Sequence, residues 1–461
     1  MRPRLRAVRV ASAVILAFAA LLQLPTVSAH AFRSNRLLID LPAALRLAGA
    51  RNLDVKIARD RLKEAQAKRT SSLERFFPWL APGVSYQRRG GLAQAVPAGT
   101  ISPAHFQSYA PGATMAAQMN LGNAIYGALA ARQLANAANH ALQAHRQDAM
   151  LAAARGYFNL AKDKALVGVA KETLRIARDY QDQLREAVAA GIAFKGDELR
   201  AQSEVERDRI LLERAREGQR IAAARLAQIL HLDPIIELVP KVSDLVPMRL
   251  IAPDATLNAL VRQALQSRPE LQQGRAVMRA ARDTKDGATY GPLIPTISAQ
   301  YFGGGLGGGP DNGPGRFGRQ SDLYASVTWR IGPGGLFDFG KIRASQARLD
   351  AAQARVEKIH DEILREVVQA WTGVQSLRRQ LATARSSLTA ADEALRLTQQ
   401  RKAFGVGVVL ENIQAQNDLS RARAEYLNVV AKYDKAEYDL NQAIGRPLKA
   451  DRRQTAAALP R

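Results

Sequence analysis

The chain has 461 residues, with 66 Lys and Arg against 42 Asp and Glu, no Cys, 33 Gly and 20 Pro. Without Cys there can be no disulfide, zinc–thiolate site, iron–sulfur cluster, Cys nucleophile or lipid attached through an N-terminal Cys. A formal charge of +24 brings nucleic acid and anionic lipid into consideration, and 47% hydrophobic residues with only 6% aromatic ones favours long, closely packed helices over a bulky mixed core.

Arg2, Arg4, Arg6 and Arg9 precede an almost wholly apolar run over residues 10–24, and Val27-Ser28-Ala29 follows it. A basic start, a short apolar stretch and a small-residue cleavage site read as a secretory signal peptide, residues 1–29. The run is short for a membrane anchor. Its removal takes four of the 66 basic residues and no acid, so the mature charge is +20. Export removes the chain from cytoplasmic nucleic acid, and no nucleic-acid partner is expected. The basic residues also interleave with acids, as in Arg207-Asp208-Arg209, which is the pattern of a solvated helical face.

The remainder contains one long internal repeat. At an offset of 216, Leu41, Ala43, Ala48, Arg59 and Ala65 match Leu257, Ala259, Ala264, Arg275 and Ala281. At 213, Gly127, Ala131, Gln133 and Ala138 match Gly340, Ala344, Gln346 and Ala351. At 214, Gly191, Gln202, Arg207 and Leu226 match Gly405, Gln416, Arg421 and Leu440. The order and near-constant offset define two halves, 36–235 and 252–448. A linker over 236–251 joins them, and the tail 449–461 is expected to be disordered.

Each half reads as one helix of about 30 residues (43–75; 255–286), a pair of strands, a very long helix and a further long helix. In the second half, apolar or small residues at Ile363, Val367, Ala370, Val374, Leu377, Leu381, Ala384, Leu388, Ala391 and Leu395 alternate spacings of four and three. That is coiled-coil periodicity. Residues 340–403 would extend about 95 Å as a helix.

Strands are expected at 82–90, 113–121, 295–303 and 322–331. In two of them Met115, Ala117, Met119 and Leu121, and Leu323, Ala325, Val327 and Trp329, alternate with polar or small residues. One apolar and one polar face suits a half-buried soluble sheet or a transmembrane β-barrel. Four strands cannot close around a wide lumen, and lipid does not tolerate unpaired edges, so a barrel would be shared between chains. Residues 90–112 and 303–321, rich in Gly and Pro, read as long external loops.

The duplicated order resembles the TolC-like outer-membrane efflux family over 36–448. Arg268-Pro269-Glu270-Leu271 resembles the family's first-helix pattern, and Leu293-Ile294-Pro295 the start of its strand. The stretch from Arg401 through Gly405 and Glu411 to Ala415 is similar to its periplasmic helix–turn–helix tip, and Ala189 to Leu199 is the equivalent tip of the first half. The resemblance implies a mainly α fold with a small antiparallel β part. It implies a homotrimer whose 12-stranded barrel, in outer-membrane lipid, continues into a periplasmic α-helical barrel. It also implies a periplasmic adaptor and an inner-membrane transporter as partners, and passive conduction in efflux or type I secretion. The first half's tip would offer Gly191, Asp197 and Leu199 for docking, and the second Gly405, Glu411 and Ile413.

Gly at a helix stop and acids at the next helix start are also ordinary turn chemistry. In the family a Tyr, an Arg and two Asp hold the channel closed. The matching positions here are Lys402, Gly407, Glu411 and Gln414, of which only Glu411 is acidic. A different closure is expected, steric or through Arg401 or Lys402.

No catalytic, cofactor or metal site is expected. Gly303-Gly304-Gly305-Leu306-Gly307-Gly308 fits G-x-G-x-x-G, but Pro310-Asp311-Asn312-Gly313-Pro314 follows it instead of a helix. His140 and His145 are five apart, poorly matched for one helical face. The rival to a duct is a secreted coiled-coil scaffold with a soluble sheet. The basic charge points to a basic lumen and anionic cargo.

Overall fold

A computed structural model describes residues 36–94, 99–241, 245–310, 315–403 and 409–448. The signal peptide and the tail lie outside the described residues. The first half runs β1 (Arg36–Ile39), α1 (Leu41–Arg51), α2 (Leu53–Glu74), β2 (Trp79–Gln94), β3 (Ile101–Asn120), α3 (Leu121–Ala189) and α4 (Lys195–Ile229). After β4 (Glu237–Pro240), the second half runs α5 (Leu257–Ser267), α6 (Pro269–Tyr290), β5 (Thr296–Pro310), β6 (Arg316–Thr328), α7 (Phe339–Ala403) and α8 (Val409–Ala443).

The leading helix of each half is two helices, not one. Asn52 leaves helical geometry at ψ 136°, and its carboxamide oxygen accepts the N–H groups of Asp54 and Val55. Its Nδ2 reaches the Ile229 carbonyl at 3.0 Å. At the equivalent point, offset by 216, Arg268 is held at ψ 122°, as a residue before proline must be. Its guanidinium is buried and bridges Glu270 and Glu366, both at 2.9 Å.

The strands are longer than the alternation predicts. Glycine carries no side-chain signal, so the run at 303–309 reads as a loop yet forms the outer part of β5. Much of 90–112 is likewise strand. The four long strands form one antiparallel sheet in the order β2-β3-β5-β6, while β1 and β4 pair in parallel. The G-x-G-x-x-G segment therefore lies within a strand, where it cannot present a helix N-terminus.

α3 has 69 residues and α7 has 65, each about 100 Å long. All ten positions of the α7 seam are buried or half-buried. α4 packs on α3 and α8 on α7, with α3 and α8 in contact between the halves. Nearer the sheet the order of contact is α2, α3, α6, α7. Among the described residues, no helix is long and apolar enough to cross a membrane.

Two apolar cores lie at the middle of the helices. One gathers Ile39, Leu45, Leu160, Leu226 and Leu238, and the other Leu260, Leu271, Ile363, Val367 and Leu440. The linker is fastened beside them by two acids of α8 with no solvent exposure, Asp434 and Glu437. Asp434 Oδ1 accepts the Met248 N–H at 2.7 Å. Glu437 Oε2 accepts those of Leu250 and Ile251, and its Oε1 accepts the Tyr433 hydroxyl at 2.8 Å. Carboxylates thus supply the acceptors that a neighbouring strand would otherwise give.

Burial pushes the Asp434 carboxyl up to about 8. A folded-state value above the unfolded one means that the folded chain holds a proton the unfolded chain has released. Stability from this group is greatest in acid and is lost as pH rises from about 4 to about 8. Asp434→Asn keeps the acceptor and cannot ionise, so its thermal midpoint relative to the parent should be higher at pH 9 than at pH 5 in circular-dichroism melts. Asp434→Ala strands the Met248 N–H and should cost about 1–3 kcal/mol.

Candidate functional site

Paired residues in an antiparallel sheet point to the same side. Registers therefore assign every strand residue to one of two faces. Met115, Ala117 and Met119 of β3 align with Tyr301, Ala299 and Ile297 of β5, which align with Leu323, Ala325 and Val327 of β6. Leu80, Pro82 and Val84 of β2 join them. The opposite face carries Ser85, Gln87, Thr114, Gln118, Ser298, Gln300, Asp322, Ser326 and Thr328.

Two residues expected in the apolar strands lie outside them. Leu121 is the first residue of α3, because the Asn120 side chain accepts the Asn123 N–H and starts the helix there. Trp329 is one residue beyond β6, and its indole N–H donates to the Leu293 carbonyl at 3.2 Å.

The apolar face ends outward in an aromatic row that the sequence did not reveal. Tyr86 pairs with Tyr109, Tyr109 with Gly307, and Gly307 with Phe317. Gly307 leaves room for the Tyr109 and Phe317 rings to stack over it, 5.9 Å apart and within 10° of parallel. A Cβ there would lie 2.4 Å from Tyr109 Cζ. From Met119 to Tyr109 is ten residues, about 33 Å of strand. Tilted like the strands of a membrane barrel, it would stand about 25 Å tall, the height of an outward apolar band.

At the other end of the molecule the helices turn back. α3 closes on Gly191 at φ +75°, where the Gly191 N–H donates to Val188 and that of Ile192 to Ala187. This is a Schellman stop. Ile192, Phe194 and Leu199 are exposed beyond it. Asp197 opens α4 and pairs with Arg200 at 3.3 Å.

In the second tip, Arg401 Nη1 donates to Glu411 Oε1 at 2.8 Å, tying the end of α7 to the start of α8. Gln414 is exposed. Gly405, Gly407 and the side chain of Lys402 lie outside the described residues. Ile413, expected at the docking surface, is buried with Tyr180, Leu184 and Ala201, because it fills the space where the two tips meet. Leu410 is the exposed apolar residue instead.

Between the halves, α3 and α8 share the Phe158–Tyr438 ring contact and a series of polar bonds. Asp148 accepts from Gln442, Arg155 pairs with Asp439, Asn159 accepts from Lys435, and Thr173 bonds Ser420. Tyr180, whose hydroxyl burial pushes upward, bonds Asn412 nearest the tip. Within the halves the seams are chiefly apolar.

The profile of the family described as "Outer membrane efflux protein" matches residues 44–230 and again 260–446. Protein CyaE of Bordetella pertussis is 28% identical over 372 residues, 77% of this chain and 72% of that protein. The toluene efflux pump outer membrane protein TtgC of Pseudomonas putida is 26% identical over 307 residues, 63% of this chain and 59% of that protein, so the match spans less than two thirds of TtgC. A crystal structure of a membrane protein from Pseudomonas aeruginosa superposes with a TM-score of 0.74 at 22% identity, covering 88% of this chain and 93% of that one. That likeness concerns the fold.

Gly307→Ala should disrupt the stacked pair and lower thermal stability by about 1–3 kcal/mol. Gly318, with open space around its Cα, should accept Ala nearly without effect. Heating each variant in detergent and following loss of β-signal checks the contrast.

Proposed function

The chain belongs to the outer membrane efflux protein family, and from that premise we propose that three copies form one continuous exit duct. The sheet of each copy supplies four strands of a twelve-stranded barrel in the outer membrane. The helices below form a second barrel through the periplasm. The duct is passive, and an inner-membrane transporter with a periplasmic adaptor drives export through it.

The observation that carries this reading is the uncovered apolar face. Leu80, Met115, Tyr301 and Leu323 are 66%, 48%, 44% and 78% exposed, and they form one row across all four strands. A soluble scaffold would hide such a patch, whereas a barrel wall offers it to lipid. Three features agree in direction. β2 and β6 are the unpaired edges of the sheet. α2 and α7 are the outer members of the upper helical row, and α4 and α7 of the lower. Each tier thus leaves one first-half and one second-half edge free, so one rotation joins all three tiers to a neighbouring copy. That is a heterologous contact, which closes into a ring.

The polar face lines the pore, with Arg89 and Arg316 against Asp322. A net positive wall favours anions. The docking surface for the adaptor is the exposed part of the tips: Ile192, Phe194 and Leu199 with Asp197 on the first, and Leu410 beside Glu411 on the second. The Arg401–Glu411 pair holds the second tip in register and resists its opening. The absent family network is thus replaced by a bond within one chain.

Planar-bilayer recording of detergent-extracted protein tests the duct. Discrete, anion-preferring steps from a particle of three chains are expected. A detergent-independent, non-conducting protein would refute the duct and favour the scaffold. Glu411→Gln or Arg401→Gln should raise the open fraction, most visibly at low salt, where exposed ion pairs are least screened. The exchange Arg401→Glu with Glu411→Arg should return it toward the parent value.

A further inference from the structure

The apolar face of the sheet bears no Asp or Glu among the described strand residues, and its arginines are Arg88 and Arg319. Both are exposed. The acid present in these strands, Asp322, lies on the opposite face. Two cations on a surface that faces hydrocarbon, with no acid beside them, are costly at mid-membrane and tolerated only near the interface. Their positions fit the interface. Arg88 lies two residues outward of Tyr86 on β2, and Arg319 lies two residues inward of Phe317 on β6. Tyr86 and Phe317 stand in the single aromatic row that ends the apolar band. Two residues of strand are about 6.6 Å, within the reach of an arginine arm that lays its stem on apolar surface and lifts its head to the polar boundary.

The strands that carry them are the two free edges of the sheet. In a closed ring β6 of one copy lies beside β2 of the next, running antiparallel with the loops at the same end. The two arginines, far apart within one chain, then come to one seam, Arg88 outward and Arg319 inward of the aromatic row, each able to extend its guanidinium toward that row. Guanidinium groups so placed match a phosphate, which each can grip through two parallel N–H groups. The loop end of the barrel faces the cell exterior, so the phosphates at this depth are those of the outer leaflet.

We propose that each seam of the ring binds the phosphorylated headgroup of an outer-leaflet lipid between Arg319 of one copy and Arg88 of the next, with the acyl chains lying on the apolar band below. The site rests on the shared-barrel reading and is incomplete in a single chain. It makes the lipid a bridge across the contact that the ring needs to close.

Native mass spectrometry of the detergent-purified protein tests this, with three probes. These are a diphosphorylated disaccharide lipid (lipid A), the same lipid with its phosphates removed, and excess inorganic phosphate as competitor. The parent should appear as a trimer that takes up the phosphorylated lipid at least about tenfold more tightly than the dephosphorylated one. Arg88→Gln with Arg319→Gln should abolish that preference while the trimer persists. Arg88→Lys with Arg319→Lys keeps the charge but loses the fork, and should fall between the two, which serves if the Gln variant does not assemble. Equal uptake of both lipids by the parent trimer, or a preference that survives in the Gln variant, would overturn the proposal. So would complete displacement by inorganic phosphate, which would mark a free-anion site. A parent that is monomeric in the same spectrum would refute the shared barrel itself.

Discussion

A β-strand exposes backbone N–H and C=O groups along both of its sides, and hydrocarbon offers no partner for either. In this chain the sheet stops at four strands, so β2 and β6 each carry one unpaired side. Much of the remaining architecture can be understood from that deficit. On the proposed reading the apolar face faces lipid, lipid forbids the open edges, and the chain is completed by its neighbours. The helices obey the same geometry. Each tier ends in one element from the first half and one from the second, so a single contact between copies satisfies strands and helices together.

The internal repeat makes such a contact economical. Two related halves place their strand pairs side by side and their long helices in parallel paths, so four elements per tier come from one duplication. The halves meet through apolar packing, as where Ile413 sits among Tyr180, Leu184 and Ala201 and where the Phe158 and Tyr438 rings touch, and also through polar bonds. Inside a half, Leu174, Val205 and Leu212 or Leu395 and Leu419 interlock as apolar seams. Between halves, Thr173–Ser420, Arg155–Asp439 and Lys435–Asn159 form a line of polar bonds along α3 and α8. Near the middle, Asp434 and Glu437 fix the linker so that the two halves keep one register there.

What could be read from the sequence followed from side-chain periodicity. The α7 seam was legible because ten apolar positions repeat over more than four heptads, and each is buried or half-buried. The strand faces were legible where Met115, Ala117 and Met119 or Leu323, Ala325 and Val327 alternate. Periodicity fails where glycine replaces side chains. The outer part of β5 looked like a loop because Gly303 to Gly309 carry no pattern, although the rings of Tyr109, Phe302 and Phe317 cover them from neighbouring positions. The aromatic row and the Arg88–Arg319 relation need registers, which no single strand contains. The break at Asn52 was hidden because Asn is compatible with a helix, and only its contact with Ile229 reveals the cap. Ile413 looked like a tip residue by alignment, and its burial depends on the other tip packing against it. The expectation of a changed closure at the second tip came from Lys402, Gly407 and Gln414. The Arg401–Glu411 bond is a contact that such a substitution pattern could suggest but not locate.

The central claim is that β2 of one copy pairs with β6 of the next. The chain has no Cys, so a cysteine placed along β2 and a second along β6 meet no native thiol, and single-cysteine variants serve as controls for β2–β2 and β6–β6 bonds. Scanning such pairs and oxidising the extracted protein should yield, at the matching register, covalent species of two and three chains and nothing larger. Cross-linking confined to one chain, or a ladder continuing beyond three, would contradict the closed ring of three.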